Sequence, residues 1–137
     1  LYKLNLMHTL KSVINSGTPY LGTSAGSNLC GQSIGTSNDM PIVYPPSFQA
    51  LGIIPFNINP HYTDPEPESK LMGETIITRI KEFHYYNSQS VLGLREGSYL
   101  EITSDKIILK GNLKARVFKY GVLPYEIDSG ADLSSFK

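Results

Sequence analysis

The chain has 137 residues, and its twelve basic residues (Lys and Arg) balance its twelve acidic ones. This neutrality removes the basic excess with which nucleic-acid-binding modules neutralise phosphates, and it provides no electrostatic attraction to a membrane surface. We therefore expect neither nucleic acid nor a membrane as a partner. A hydrophobic content of 40% is typical of a folded globular domain. The single cysteine, Cys30, cannot form an internal disulfide, which favours a cytoplasmic protein.

Apolar residues at spacings of three and four predict an amphipathic helix over residues 3–16. Its predicted buried stripe consists of Leu4, Met7, Leu10 and Ile14. Gly17 follows as the expected left-handed end of this helix. Residues 19–22 are apolar and predict a short buried strand, which leads into a turn of small residues and then a short helix.

The middle of the chain is rich in proline. Seven of the nine prolines lie between Pro41 and Pro67, and residues 31–68 show no clean periodicity. Loops of this length usually carry function rather than merely connecting two elements. A second helix is predicted over residues 69–86. Its apolar face consists of Leu71, Ile76, Ile80 and Phe83.

The last third of the chain has the composition and turn signals of β-strands. The predicted strands cover residues 90–94, 99–103, 106–109 and 115–120. Turn-forming pairs separate the last three strands, which predicts an antiparallel meander. The helices, the buried strand and the terminal hairpin region together predict a single α/β domain over residues 1–137, with an antiparallel C-terminal hairpin region.

The sequence Gly22-Thr23-Ser24-Ala25-Gly26 matches G-x-S-x-G, the pattern of a nucleophile elbow. In such an elbow a sharp strand-to-helix turn exposes the serine hydroxyl, and only small neighbours leave room for it. The backbone N–H after the serine, that of Ala25, is then a candidate oxyanion donor. The alternative is a glycine-rich turn in which Ser24 only caps a helix.

A serine nucleophile needs a base, and the base needs an acid that holds its tautomer. Of the three histidines, His8 and His84 lie in helical patterns and are interpreted as surface or structural residues. His61 lies in the proline-rich loop, where it is either a catalytic base or a structural histidine. No second histidine or cysteine stands at ligand spacing, so no metal site is expected. Asp39 and Glu96 are the two candidate acids.

Several blocks of sequence resemble the peptidase E (α-aspartyl dipeptidase) family of serine peptidases. They occur in order at residues 17–20, 22–28, 36–42, 51–52, 55–56, 58–62, 73–75 and 93–98. The resemblance implies a three-layer α/β sandwich similar to that of the class I glutamine amidotransferases. It also implies hydrolysis of small peptides with an N-terminal aspartate through an acyl-enzyme, without a metal or cofactor.

The resemblance further implies roles for individual residues. Ser24 would be the nucleophile, His61 the general base and then acid, and Asp39 the acidic member of the charge-relay set. Glu96 occupies the family's Glu-Gly position and is a rival for that acid, so both carboxylates stay open.

The chain departs from the family pattern in two respects. Members of the family have further residues before the position of Leu1, including several central strands and a loop that lines the site. We therefore expect a homodimer, or association with a missing N-terminal segment, to cover the sheet. Ile76 stands where the family has an arginine that holds the substrate's carboxylate, which leaves Arg79, one turn later, as the candidate substrate-binding residue.

These departures keep two alternatives open. One is a truncated or non-catalytic homologue that serves as a binding module. The other is a peptidase that retains the triad but prefers residues other than aspartate, because an apolar side chain cannot replace a bidentate carboxylate clamp.

Overall fold

The computed structural model describes residues 1–38, 42–65 and 75–136. A turn of 3₁₀-helix at Tyr2–Leu4 precedes the first helix. The helices are α1 (Leu6–Asn15), α2 (Ala25–Leu29) and α3 (Ile76–Tyr86). The strands are β1 (Asn57–Pro60), β2 (Val91–Leu94), β3 (Ser98–Ile102), β4 (Ile107–Gly111), β5 (Ala115–Phe118) and β6 (Tyr125–Ile127). None of the described helices has the length and apolar character that crossing a lipid bilayer requires.

Four strands form the main sheet in the order β1-β2-β5-β6, and β3 pairs with β4 in a separate hairpin. β1 and β2 run parallel, with Asn57 opposite Val91 and Pro60 opposite Leu94. The pairs β2–β5 and β5–β6 are antiparallel. The structure is thus a mixed α/β fold. Because β1 and β2 are parallel, their C-terminal ends lie at the same edge of the sheet.

Both faces of the main sheet are covered by apolar side chains. On one face Leu92 and Val117 join a large cluster that includes Ile107 and Leu109 of the hairpin. On the other face Val91 and Phe118 pack with Tyr62 and with two residues of α3, Ile80 and Phe83. Burying an aliphatic or aromatic side chain of this size stabilises a fold by about 1.5–3 kcal/mol. The continuous apolar run of β2 is explained by its central, doubly covered position.

The structure confirms several of the predicted elements. The first helix, the short helix after Ser24, the described part of the second helix and the β3–β4 hairpin lie where the sequence places them. Gly17 has φ +102°, as expected for a left-handed helix end. The predicted residues 69–74 of the second helix, including Leu71, lie outside the described residues.

Other predictions were wrong. Residues 19–22 form no strand, because no described segment supplies a ladder partner for them. The predicted stripe is not buried in the described structure, since Leu4 is exposed and Met7, Leu10 and Ile14 are only partly buried. The predicted meander does not form, because β5 pairs with β2 rather than with β4. Strands β1 and β6 were not predicted, and β1 lies within the stretch that was expected to be irregular.

Candidate active site

Ser24 lies at a sharp turn at the start of α2. Its backbone has φ +50° and ψ −117°, which is a costly conformation for a residue with a side chain. The turn is held from both sides, since Ser27 Oγ donates to Gly22 O at 2.9 Å and Tyr20 Oη donates to Gly26 O at 2.8 Å. Burial, together with Cys30, raises the pKa of Tyr20 to about 12, so its phenol remains a donor.

The glycine before the serine is required by the close approach of the two arms of the turn. A Cβ at Gly22 would lie 2.7 Å from both the carbonyl carbon and the oxygen of Gly26, which is closer than side chains approach backbone. A Cβ at Gly26 would have only Tyr20 Oη near it, at 3.5 Å. The first glycine of the motif is therefore fixed by sterics, whereas the second is not.

His61 and Glu96 follow two neighbouring parallel strands. His61 comes directly after β1, and Glu96 lies two residues after the end of β2. Glu96 belongs to a turn that the Ser98 N–H closes by donating to Arg95 O at 3.1 Å. Gly97, with φ +81°, supplies the left-handed residue of this turn. The shared edge of the sheet thereby brings the two side chains together.

Ser24, His61 and Glu96 form one chain of hydrogen bonds. His61 Nδ1 contacts Glu96 Oε1, and His61 Nε2 lies 2.9 Å from Ser24 Oγ. An ionised carboxylate only accepts, so Nδ1 carries the proton and the Nε2 lone pair faces the serine hydroxyl. In this arrangement the imidazole is oriented to take a proton from Ser24.

Hydrogen bonds from amide and hydroxyl side chains connect α2 to β1. Asn28 Nδ2, in α2, donates to Ile58 O at 2.8 Å, and Thr36 Oγ1 donates to the same oxygen at 2.9 Å. Asn59 Nδ2 donates to Thr36 O at 2.9 Å. Because Asn28 is buried in the helix that begins directly after Ser24, and Ile58 lies just before His61, this network fixes Ser24 relative to His61.

A cavity of about 320 Å³ opens beside the three residues. Its described lining is largely apolar and includes Tyr20, Leu21, Ile58, Leu94, Tyr99, Leu100 and Ile102. Cys30 also lines the cavity, but burial raises the pKa of its thiol, which disfavours the thiolate and hence nucleophilic attack. Arg95 is the one arginine among the described lining residues.

A family model described as Peptidase family S51 matches residues 1–110. The chain belongs to peptidase family S51. It is 49% identical over 134 residues to a Peptidase E from Streptomyces coelicolor, which covers 98% of this chain and 55% of the relative. It is 47% identical over 135 residues to a Probable alpha-aspartyl dipeptidase from Drosophila melanogaster, which covers 98% of this chain and 56% of the relative. The chain thus spans about half the length of the curated relatives it matches.

Membership of family S51 confirms the resemblance that the motif blocks indicated. The structure brings Ser24, His61 and Glu96 together, and it places the Ala25 N–H at the first position of α2. No described group accepts a hydrogen bond from that N–H. Asp39 lies outside the described residues.

Arg79, the candidate substrate-binding residue of this S51 chain, lies outside the cavity beside Ser24. Arg79 Nη1 donates to Asn38 O, and Arg79 is not part of the lining of the Ser24 cavity. Ile76 packs against the cluster beneath α3. His84 Nε2 bonds Gln89 O at 3.0 Å, and neither His84 nor His8 lines the cavity, in agreement with their structural interpretation. In the part of the chain that the structure describes, no His, Cys, Asp and Glu side chains are grouped to hold a metal ion.

Sequence reasoning missed the residues that support the S51 site from behind. Asn28 and Asn59 belonged to the motif blocks, but their amide contacts depend on the position of β1, which was not predicted. Asp64 and Glu126 were not singled out, because they meet Arg95 only in the folded chain. The available signal was Asn28 within the short helix predicted after Ser24, because asparagine is a poor helix former.

Proposed function

We propose that this protein is a serine peptidase in which Ser24 is the nucleophile, His61 the general base and then acid, and Glu96 the orienting acid. The observation that carries the proposal is the hydrogen-bonded chain of these three side chains at a strained turn. Membership of family S51 supports it. We also retain a three-layer sandwich of the class I glutamine amidotransferase type as a proposal, supported by the apolar cover on both faces of the main sheet.

The proposed reaction is acyl transfer. Ser24 Oγ attacks the peptide carbonyl carbon while its proton passes to His61 Nε2, and the Ala25 N–H donates to the developing oxyanion. Glu96 stabilises the imidazolium, which gives its proton to the departing amine as the C–N bond breaks. Water then loses a proton to His61 and attacks the acyl ester. The bond between the acyl carbon and Ser24 Oγ breaks, His61 returns the proton to Oγ, and the first residue leaves as a carboxylic acid.

The proposed substrates are dipeptides with an N-terminal aspartate. The name of the Drosophila melanogaster relative supports this preference. A second candidate is the same chemistry on peptides with an apolar N-terminal residue. It is favoured by the largely apolar lining of the cavity and by the absence of Ile76 and Arg79 from that lining.

Release of p-nitroaniline from the Asp, Leu and Phe p-nitroanilides separates these candidates, with Ser24→Ala as the control. Serine-dependent release from the Asp compound supports the first candidate, and release from the apolar compounds alone supports the second. Labelling of Ser24 by a fluorophosphonate, read by mass spectrometry, tests the nucleophile without assuming a substrate. A protein that is neither labelled nor active contradicts the proposal and favours the non-catalytic homologue.

The choice between the two acids has its own test. We expect Glu96→Gln to slow labelling by roughly 10²–10⁴-fold, because the imidazole loses the partner that fixes its tautomer. Asp39→Asn, measured beside it, is expected to have a much smaller effect. A larger loss in Asp39→Asn than in Glu96→Gln would assign the acid to Asp39 instead.

A further inference from the structure

The guanidinium of Arg95 is engaged by groups from three different segments. Nη1 donates to Lys114 O at 2.7 Å and to Glu126 Oε2 at 2.8 Å, and Nη2 donates to Glu126 Oε1 at 2.9 Å and to Asp64 Oδ2 at 2.7 Å. The aromatic ring of Tyr62 lies beneath it, with the guanidinium carbon 5.2 Å from the ring centroid. The Arg95 side chain is thus a largely enclosed fork, with 16% of its surface exposed.

This fork joins the two loops that carry the proposed acid and base. Arg95 is the residue directly before Glu96, and Asp64 is three residues after His61. The ring of Tyr62, directly after His61, is seated on Gly93, where a Cβ would lie 2.7 Å from the ring. The Asp64–Arg95 ion pair and the Arg95–Tyr62 stack therefore connect the ends of β1 and β2 immediately behind the triad.

The acid and base themselves need such support. The side chain of His61 is 51% exposed and that of Glu96 is 77% exposed. A pair in which both side chains are this exposed contributes little by itself, because water competes for both partners and the side chains lose freedom. The Asp64–Arg95 pair differs in that only Asp64, at 57%, is exposed, whereas Arg95 is largely enclosed. The fixed orientation of the imidazole must then come from the backbone of the two loops.

We propose that Arg95 is a positioning residue that holds Glu96 against His61 by clamping the loops after β1 and β2. The inference rests on the proposed function, because it assigns Arg95 a role in that same triad. Arg95 is not available to bind a substrate carboxylate, since both of its terminal nitrogens are occupied by Glu126 and Asp64. Its planar guanidinium donates hydrogen bonds to two carboxylates at once, whereas the ammonium group of a lysine is a point charge without this planar geometry.

The test is a double-mutant cycle between Arg95→Gln and Glu96→Gln, with the rate of fluorophosphonate labelling of Ser24 as the first readout. Arg116→Gln is the matched control, because Arg116 also contacts Glu126, at 3.0 Å, but lies outside the two loops. Asp64→Asn is a milder variant that removes one arm of the clamp and guards against misfolding of Arg95→Gln.

The second readout is the tautomer of His61, obtained from the ¹⁵N shifts of its ring through the carbon-bound protons. This measurement needs no activity. In the wild-type protein we expect the Nδ1–H form, and in Glu96→Gln we expect that preference to be lost. Arg95→Gln and Asp64→Asn should shift the tautomer in the same direction as Glu96→Gln, which a merely structural residue would not do.

We expect Arg95→Gln to slow labelling by about 10–10²-fold, since a misplacement of about 1 Å costs on that scale. Arg95→Lys should recover part of this loss, and Arg116→Gln should stay within about twofold of wild type. In the Glu96→Gln background Arg95→Gln should add little further loss, because the group it positions is gone. Additive losses, or an unchanged His61 tautomer in both Arg95→Gln and Asp64→Asn, would overturn the proposal.

Failure of the proposed function gives a different pattern. A wild-type protein that is not labelled at Ser24 contradicts the serine peptidase, while the tautomer measurement still decides whether Arg95 holds Glu96 against His61. A wild-type His61 without a preferred Nδ1–H form contradicts the hydrogen bond between His61 and Glu96, and Arg95 then has no positioning role.

Discussion

Substituting alanine for Gly22 tests whether the serine turn depends on the contact between its two arms. The new Cβ would meet the carbonyl carbon and oxygen of Gly26 at 2.7 Å and Tyr20 Cε1 at 2.8 Å. The contact with Gly26 is about 0.8 Å closer than an ordinary van der Waals separation of about 3.5 Å. Because the atoms it meets are backbone, a side-chain rotation cannot relieve the clash, and the turn itself must open.

This opening sets the size of the expected effect. Ser24 lies between the two arms, so its Oγ moves with them, and a displacement approaching 1 Å costs about 10²-fold in rate. The overpacking costs about 1–3 kcal/mol of unfolding free energy. Gly26→Ala is the control, since its Cβ meets only Tyr20 Oη at 3.5 Å and lies in a helix, where alanine is favoured over glycine by about 0.5–1 kcal/mol.

The assay is the rate of fluorophosphonate labelling of Ser24, measured beside urea unfolding monitored by circular dichroism. We expect Gly22→Ala to be labelled about 10²-fold more slowly and to unfold at lower urea, and Gly26→Ala to be labelled near the wild-type rate with unchanged or raised stability. The reasoning is refuted if the two alanine variants behave alike, because the sterics of the two glycines differ so clearly.

Two further predictions follow from backbone strain and from the charge network. Ser24→Gly should unfold with a free energy about 1 kcal/mol higher than Ser24→Ala, because only glycine relieves the strain at φ +50°, and equal urea midpoints would contradict this. The hydrogen bond from Arg95 lowers the pKa of Glu126, so its stabilisation is present above about pH 4.3 and is lost as the pH falls through the lowered pKa. The acid-induced loss of unfolding free energy should therefore be shallower in Glu126→Gln than in wild type, and equal slopes in the two proteins would contradict this.

The turn around Ser24 could be predicted from the sequence because its determinants are local. Gly22, Ser24 and Gly26 lie within five residues, and the steric requirement at Gly22 involves only that segment and Tyr20. The amphipathic pattern of α3 was equally informative, since Ile80 and Phe83 are both buried against the sheet.

The contact between His61 and Glu96 could not be predicted from the sequence, because it depends on the pairing of strands that lie far apart along the chain. Had β1 been recognised as a parallel neighbour of β2, His61 and Glu96 would have been expected at one edge of the sheet. β1 was hidden by its composition, since asparagine and proline are disfavoured in strands. The amides of Asn28 and Asn38 compensate in the fold by bonding Ile58 O and Pro60 O along its outer edge. Contacts of this kind produce no periodic pattern of apolar residues in the sequence, so β1 could not be recognised from them.

The two strands of the β3–β4 hairpin have different surroundings. β4 is anchored by Ile107 and Leu109 in the main cluster, and Leu109 N–H donates to Ala131 O. β3 instead presents Tyr99 and other side chains to the cavity beside Ser24, and none of its residues is fully buried. Substitution of the exposed Tyr99 therefore changes the cavity wall at little expense to the core, whereas Leu100 also packs against the main cluster. One short strand thus gives evolution a place to change the wall of the cavity beside Ser24, while His61 and Glu96 stay at the edge of the other sheet.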